Sequence, residues 1–525
     1  MKTKITFLLC LFAFTAILPL SAAKYYLYAG TDSNPWGAPV DGTVTQVTGT
    51  LNTILNAFVE NDVVWIAKGT YTVDASIVLA SGIQVYGGFA GTETSISERL
   101  YLDADNTVVE PWEFKNPTTI YGVGFTGTAV DYAIVNSGAN SYTLNGLTIE
   151  GHNTTSDKGA AIYTNARPTI EKCIIRNINQ TASTAANGGA GIYSEVAGGA
   201  YIYSCLIENC VTNKCGGAIN AYKKVTVKGC VLRNNFASTA SVSKGGAIYL
   251  QSGADADNTS YIVNNVIYNN GSVNQGGAIQ LQAAASEPCR IINNTIANNY
   301  ATSSVGGIIG LGISTKLYNN IVYNNWEGAT AGTIKNLRTS LTSATIDLQY
   351  SAYNGGTAVG TGSSFATTGN INNLSAPGFV NPSTTKGYSA IMPNDVLVAN
   401  FALQSTSTLI NAGGSSTALT DLPSNDLLGY ERPFGTANDM GAYEYGSTNL
   451  TTVNDLTNAK MLNLFRANNR SIISNVDGLV EIFSVSGKLL ISKNVSVGSQ
   501  IALTSGFYVI RVSTAEATVN QKIVL

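Results

Sequence analysis

A phrase of two glycines, a small residue and isoleucine returns, with small variations, at near-constant spacing through the middle of the 525-residue chain. Full copies begin at Gly188, Gly216, Gly245, Gly276 and Gly306, and a weaker copy begins at Gly159. A second phrase of small or apolar residues ending in asparagine repeats in step with it, at 173–177, 205–209, 230–234, 265–269, 294–298 and 320–324. Two phrases that repeat together with a period near 30 residues are typical of a solenoid.

The segments between the glycines are short, rich in β-branched residues and alternate between apolar and polar positions, and they have no helical period. This pattern predicts an all-β chain with a right-handed parallel β-helix of about three strands per coil, with coils stacking about 4.8 Å apart. An N-terminal cap precedes the solenoid in this prediction, and a small C-terminal β-sandwich follows it. A run at 51–58 places Leu51, Ile54, Leu55 and Phe58 on one helical face and predicts a capping helix.

Changes in composition divide the chain into five predicted parts. Residues 1–23 have two lysines, an apolar run and a small-residue cleavage site, as in a secretory signal peptide. Residues 24–130 are the cap and first coils, 131–446 the parallel β-helix, 447–459 a polar linker, and 460–525 the β-sandwich. Within the solenoid, the region from about 401 to 444 is interpreted as a terminal coil that acidic and arginine side chains pin in place.

Net charge and signal sequence limit the classes of partner. A formal charge of −3 and a pI near 5.4 give no basic field for nucleic acid. We expect an exported protein with no transmembrane segment after signal removal.

These repeats resemble those of two families. The region from about 50 to 445 is similar to secreted bacterial β-helix proteins of the pectate-lyase-like superfamily, and its Gly-Gly-Ala-Ile and Asn-Asn phrases are similar to those of polymorphic outer-membrane adhesins. At the C-terminus, the phrases at 480–488, 506–512 and 522–525 resemble the type A sorting domain of the type IX secretion system. That resemblance implies the type IX secretion machinery as a partner and a location at the outer surface of a Gram-negative bacterium or outside the cell.

Alternation predicts which repeat positions face the core. In the second phrase the first, third and fifth positions are expected to point inward. The fifth position would then form an inward asparagine ladder of Asn177, Asn209, Asn234, Asn269, Asn298 and Asn324. Cys173, Cys205 and Cys230 share the first position and are predicted to be buried fillers. Cys210 and Cys215 are interpreted as turn residues, and they are better candidates for a disulfide than the three buried cysteines.

The fourth position of the phrase points outward and carries charges of alternating sign. It reads Glu150, Arg176, Glu208 and Arg233 on consecutive coils, a set called the charged column below. One interpretation is register control by ion pairs across neighbouring strands. The alternative is a catalytic site of a polysaccharide lyase or glycosidase, with an arginine as base and a glutamate as cation ligand.

A second outward column follows the paired glycines and offers rings and amides for sugar binding. It consists of Tyr163, Tyr193, Asn220, Tyr249 and Gln280, and is called the tyrosine column below. No cofactor is expected, although Asp255 and Asp257 are weak candidates for a calcium site. His152 is the chain's one histidine, which excludes sites built from several histidines.

Two functions follow from these features. The first is an exported β-helix scaffold with an adhesive or binding role toward a polysaccharide or a host or cell-surface glycan. The alternative is a polysaccharide lyase or glycoside hydrolase of the pectate-lyase-like superfamily, with its site along the charged column.

Overall fold

The computed structural model describes residues 22–524, except 31, 103–108, 123–133, 137–140, 156–157, 160, 182–187, 196–198, 240, 252–258, 283–288, 329–331, 340, 367, 448–464, 469–470, 475–477, 485–488, 497–498, 504–506 and 514–517. The predicted signal peptide and linker therefore lie largely outside the described residues, and Asp255 and Asp257 lie outside them altogether.

Three long sheets, almost entirely parallel, wind together as a β-helix, which confirms the predicted fold class. The first sheet contains β1 (Lys24–Ala29), β2 (Thr43–Val47), β3 (Val63–Ala67), β6 (Gln84–Phe89), β9 (Ser141–Asn145), β13 (Arg167–Glu171), β16 (Ala200–Tyr203), β19 (Val225–Lys228), β23 (Ser260–Val263), β27 (Cys289–Ile292), β31 (Thr315–Tyr318), β36 (Thr345–Gln349) and β39 (Ser364–Phe365).

The second sheet has two rows of strands after its first coils. It contains β4 (Gly69–Val73), β7 (Thr118–Gly122), β10 (Leu147–Glu150), β11 (Asn153–Thr154), β14 (Ile174–Gln180), β17 (Leu206–Thr212), β20 (Val231–Arg233), β21 (Phe236–Ala237), β24 (Val266–Tyr268), β25 (Gly271–Ser272), β28 (Thr295–Ala297), β29 (Tyr300–Ala301), β32 (Ile321–Tyr323), β33 (Trp326–Glu327), β34 (Thr333–Ile334) and β37 (Ala352–Tyr353).

The third sheet has one short strand from each coil. It contains β5 (Ile77–Val78), β8 (Ile134–Asn136), β12 (Ile162–Thr164), β15 (Ile192–Ser194), β18 (Ile219–Ala221), β22 (Ile248–Leu250), β26 (Ile279–Leu281), β30 (Ile308–Ile309), β35 (Leu337–Arg338) and β38 (Thr357–Ala358). Coils are numbered from this sheet, so that coil 1 contains β3, β4 and β5. The solenoid therefore begins near residue 63, inside the region predicted to hold the cap and first coils.

The predicted capping helix is present. Helix α1 (Leu51–Leu55) buries Leu51 and Leu55 in the main core, and Ile54 and Phe58 pack against the same core. A 3₁₀ turn (Ile96–Glu98) follows β6. Apolar burial beneath the first coil covers an end that would otherwise expose its interior to water.

Single left-handed residues turn the chain between neighbouring strand rows, and they correct the predicted asparagine ladder. Every fifth-position asparagine has a φ between 53° and 56°, so the strand alternation stops there and the next residue points inward. The buried ladder is accordingly one residue later. The Asn235 backbone N–H donates to Asn270 Oδ1 (3.0 Å), and the Asn270 N–H donates to Asn299 Oδ1 (2.9 Å).

A second buried ladder follows the turn after the first sheet, and cysteines occupy its first three positions. The N–H groups of Cys173 and Cys205 each donate to the sulfur one coil later at 3.4 Å, and the Cys230 N–H donates to Asn265 Oδ1 at 2.9 Å. The prediction of buried cysteine fillers at the first position is confirmed.

The proposed disulfide is wrong. Cys210 is not a turn residue: it lies in β17, and its buried side chain points into the core beneath the Ile175 and Glu208 carbonyls. The Cys215 sulfur lies against the Val242 carbonyl instead. Both thiols are free.

Residues 374–447, the lateral segment, do not form the predicted terminal coil. They return along the outer face of the second sheet and bury an apolar strip there, and their β40 (Phe379–Asn381) and β41 (Asn400–Leu403) pair antiparallel outside the three sheets. A short helix, α2 (Asn394–Leu397), lies between these two strands. This segment closes a side of the solenoid rather than its end.

The C-terminal region, where a β-sandwich is predicted, contains two antiparallel sheets. One sheet contains β42 (Phe465–Asn468), β43 (Ser471–Ser474) and β46 (Gln500–Ala502). The other contains β44 (Gly478–Ser484), β45 (Leu489–Val495), β47 (Phe507–Ser513) and β48 (Thr518–Val524). The side chains of Val480, Ile482, Val495 and Ile501 are buried.

Candidate functional site

The predicted register of the charged column is confirmed. Glu150 pairs with Arg176, Arg176 with Glu208 and Glu208 with Arg233 across β10, β14, β17 and β20. The column continues into Tyr268. Two separate ion pairs form along it, Arg176 with Glu150 and Arg233 with Glu208.

The Arg233 pair is enclosed. Arg233 Nε donates to Glu208 Oε2 at 2.7 Å, and Nη1 donates to the Tyr268 hydroxyl at 3.1 Å and to the Leu397 carbonyl at 2.9 Å. The side chains of Arg233 and Glu208 are only 12% and 7% exposed. Leu397 belongs to the lateral segment, so this arginine fastens the segment to the solenoid.

The Arg176 pair is open to solvent. Arg176 Nε donates to Glu150 Oε2, and its side chain is 39% exposed while that of Glu150 is 20% exposed. A guanidinium with one carboxylate partner and this exposure retains N–H donors that can bind a ligand.

A groove of about 460 Å³ lies over this part of the second sheet. Its floor is the outward apolar column that includes Ile174 and Leu206, beside Arg176 and Glu208. One wall comes from Leu102 and residues 110–117, including Trp112, and the other from the lateral segment, including Tyr443. The groove is the gap between two covers, one over the early coils and one over the later coils.

The electrostatics of the column oppose the alternative interpretation, a catalytic site with an arginine as base, at Arg233. Burial alone would lower the pKa of the Arg233 guanidinium, but the Tyr268 hydroxyl and the Glu208 carboxylate outweigh it and hold that pKa above its ordinary value. A guanidinium held in its protonated form does not accept a substrate proton. The enclosed pair therefore fits the register-control interpretation.

The tyrosine column has its predicted register but is not an exposed face. Tyr163, Tyr193, Asn220, Tyr249 and Gln280 follow one another across β12, β15, β18, β22 and β26. All except the half-buried Tyr163 are at most 6% exposed. Alternation correctly gave the direction of these side chains, but it carries no information about what covers them.

Polar clusters occupy the margins of that column. Lys158 Nζ donates to both carboxylate oxygens of Glu195 at 2.8 and 2.7 Å, and the Tyr163 hydroxyl donates to Glu195 at 2.7 Å. Three coils further on, Lys244 Nζ donates to Gln282 Oε1 at 2.7 Å. These contacts hold the paired-glycine loops in register.

Acidic and arginine side chains do pin the chain between about 401 and 444, but they hold the lateral segment and not a terminal coil. Arg432 lies 3.3 Å from Glu444 with both side chains fully buried, and it donates to the carbonyls of Asp439 and Gly441. Glu444 accepts from the backbone N–H groups of Phe434 and Asp439. Within the described residues, no group of three or more His, Cys, Asp or Glu side chains is arranged to hold a metal ion.

Sequence reasoning missed the groove walls. Trp112, Phe401 and Tyr443 carry no repeat signal, and they reach the second sheet through loops far away in sequence. No periodic pattern could have placed them beside Arg176.

Comparisons with known proteins add similarities of fold. No family model matches the chain, and no curated protein matches it. The crystal structure of pectate lyase Pel9A is 15% identical over 81% of this chain and 97% of that chain, with a TM-score of 0.37. The complex of XylC with xylose is 8% identical over 81% and 99%, with a TM-score of 0.27. At this similarity neither neighbour bears on activity, so function rests on the side chains.

None of the helices in the described part of the chain is long and apolar enough to cross a membrane.

Proposed function

We propose that this protein is an exported β-helix scaffold that binds a carbohydrate chain in the groove, with a binding role rather than a catalytic one. The half-exposed Arg176 beside an apolar floor is the observation that carries the proposal. Sugar rings present an apolar face and a rim of hydroxyl groups, and an apolar floor with a charged hydrogen-bond donor matches both.

The two ion pairs of the charged column lie in different environments, and this difference favours binding over catalysis. Arg233 and Glu208 satisfy each other and hold the lateral segment, so they contribute the rigid floor. Arg176 and Glu150 present charge of both signs at the solvent edge. A rigid, preorganised site loses little conformational entropy when a ligand binds.

The test is equilibrium binding of the secreted protein to a panel of soluble neutral and acidic oligosaccharides by titration calorimetry. We expect at least one to bind, and Arg176→Ala to weaken that binding about ten- to hundredfold because a charge-assisted hydrogen bond is lost. Arg338→Ala is the matched control, since it removes an arginine at an exposed position of the third sheet. Equal losses in both variants would contradict a site at Arg176.

The same panel addresses the catalytic alternative. New reducing ends or unsaturated uronate products that disappear in Arg176→Ala would replace the binding role with a lyase or hydrolase. Unchanged oligosaccharides after prolonged incubation, together with measurable binding, are the expected result.

We also propose that residues 460–525 direct export through the type IX secretion machinery and that the protein ends at the cell surface or in the medium. The supporting features are the phrases at 480–488, 506–512 and 522–525 and the antiparallel strands β44, β47 and β48, which include the described residues of these phrases. A fluorescent reporter fused to this region should leave the cell only in a strain with the secretion system. Retention of the reporter in the periplasm of that strain would overturn this assignment.

A further inference from the structure

The carboxylate of Asp62 is buried at the start of the solenoid without a cationic side chain beside it. Asp62 directly precedes β3 and is only 1% exposed. In the described part of the chain, no lysine, arginine or histidine forms an ion pair with it. Removing a carboxylate from water without an opposite charge is unfavourable, and buried charges in proteins are therefore usually paired.

Two backbone N–H groups donate to this carboxylate. The Val59 N–H donates to Asp62 Oδ2 at 2.9 Å, and the Ala23 N–H donates to Asp62 Oδ1 at 3.1 Å. Val59 lies in the turn that leads into β3, and its carbonyl accepts the Asp62 N–H in return. Ala23 directly precedes β1, so the second contact joins the first strand of the sheet to coil 1.

Ala23 is part of the folded structure, although the predicted signal peptide, residues 1–23, includes it. Its carbonyl accepts the Val63 N–H at 2.9 Å, and it is half-buried, whereas Ala22 is exposed. Cleavage after Ala23 would remove both contacts, and Asp62 Oδ1 would lose a donor. Cleavage one bond earlier would keep them. Each of these two bonds follows an alanine, so the small-residue pattern of a cleavage site is compatible with either.

We propose that a signal peptidase cleaves the bond between Ala22 and Ala23 during export and that the new α-ammonium of Ala23 is the partner of the Asp62 carboxylate. Hydrolysis transfers the hydroxyl of a water molecule to the Ala22 carbonyl carbon and its hydrogen to the Ala23 nitrogen. The resulting amine takes up a proton at neutral pH. The 3.1 Å contact then becomes a charge-assisted hydrogen bond, which is stronger than one from a neutral amide. This inference rests on the proposed export and is independent of the groove.

The ion pair makes the stability of this end of the solenoid depend on processing. In the uncleaved chain Ala23 contributes a neutral amide, so the Asp62 carboxylate is buried without a positive charge. Cleavage supplies that charge and strengthens the attachment of β1 to coil 1. The processed protein should therefore open less often at β1 than the same chain with residues left before Ala23.

The first measurement is N-terminal sequencing of the secreted protein. We expect the sequence to begin at Ala23 and to continue with Lys24. A protein that is secreted with Lys24 or any other first residue overturns this inference and leaves the proposed export intact. A precursor that stays in the cell with its signal peptide attached contradicts the export and the cleavage together.

The second measurement compares hydrogen exchange of the β1 amides in the secreted protein and in a recombinant chain that begins at Ser21. The longer chain should exchange there about five- to thirtyfold faster, because its ammonium lies two residues away from the site. Asp62→Asn should abolish this difference. The matched control is Asp41→Asn, which removes the 58% exposed partner of Lys24 and should preserve it. Equal exchange in the two unsubstituted chains overturns the ion pair, and that comparison does not depend on the folding of Asp62→Asn.

Discussion

Arg176 and Arg233 occupy the same position of the repeat two coils apart, and each pairs with the glutamate one coil before it. Arg233 is enclosed by the lateral segment, while Arg176 stands at the edge of an open groove. One repeat position therefore supports two roles, and the cover above the sheet decides which. In this solenoid the coils set the register, and the non-repeating segments set which positions are covered and which stay open to solvent.

The turn asparagines show the same division. In the later coils their side chains bind the lateral segment: Asn234 exchanges two hydrogen bonds with Ser389, and Asn298 donates to the Ser383 carbonyl. In coils 4 and 5 Asn177 and Asn209 bond to each other instead. The turn asparagines thus form hydrogen bonds with the lateral segment only where it lies over them.

The largest contrast is expected between the two arginines. Arg233→Ala should lower the free energy of unfolding by about 3–5 kcal/mol, because it leaves Glu208 buried without its partner. Arg176→Ala should cost at most about 1 kcal/mol, because its pair is partly exposed. Urea unfolding of both variants measures this, with the binding assay as the second readout. Similar destabilisation by the two substitutions would refute the view that the lateral segment distinguishes them.

His152 makes the open end of the column sensitive to acid. It lies between β10 and β11, its ring packs against Gly122, and burial lowers its pKa to about 4. A histidine whose pKa falls on folding gives stability that is complete above the unfolded value of 6.5 and is lost as the pH drops toward 4. The expected loss is roughly 3 kcal/mol.

NMR titration of the imidazole signals and urea unfolding between pH 7 and 4 test this expectation without ambiguity, because the chain has one histidine. His152→Gln should remove this acid-induced loss and leave the contributions of the other titrating groups. A folded-state pKa near 6.5 would mean that the ring is in contact with water.

The sequence was sufficient to predict the repeating coils but not the non-repeating segments that cover them. The period of about 30 residues specified the parallel sheets and the order of the charged column, since both depend on spacing alone. The ladder was misplaced by one residue because a left-handed turn at Asn234 and its equivalents reverses the alternation. The groove was out of reach because contacts such as that of Tyr268 with Val396 span 128 residues without a periodic signal.

The stability that the buried acidic residues of the lateral segment provide should change with pH in the opposite direction. Burial raises the pKa of Glu444 to about 7, against the opposing effects of Arg432 and two backbone N–H groups. A carboxyl whose pKa rises on folding gives stability that is complete below its unfolded value of 4.5 and is lost as the pH climbs through 7. Burial raises the pKa of Asp426 and Asp439 as well, so their effect has the same sign.

The His152 effect has the opposite sign over the same interval, so this effect is measured in the His152→Gln variant. Its unfolding between pH 5 and 7 should record a loss of about 2 kcal/mol that a further Glu444→Gln substitution removes. The matched control is Glu444→Gln alone, which should keep the acid-induced loss caused by His152. An unaltered slope in the double variant would assign the pH dependence to other carboxyl groups.

The smallest expected effect compares two turn asparagines of the same column, Asn177 in the open part and Asn269 in the covered part. Both have left-handed φ values, 56° and 54°, so glycine fits the backbone at either position. Asn269 Nδ2 donates to the carbonyls of Thr385 and Gly387 in the lateral segment, whereas Asn177 accepts a single hydrogen bond from Asn209. Asn269→Gly should cost about 1–2 kcal/mol and Asn177→Gly no more than about 0.5 kcal/mol. Because backbone strain is absent from both variants, the difference measures how strongly a turn side chain holds the lateral segment, and equal costs would show that apolar packing alone keeps it in place.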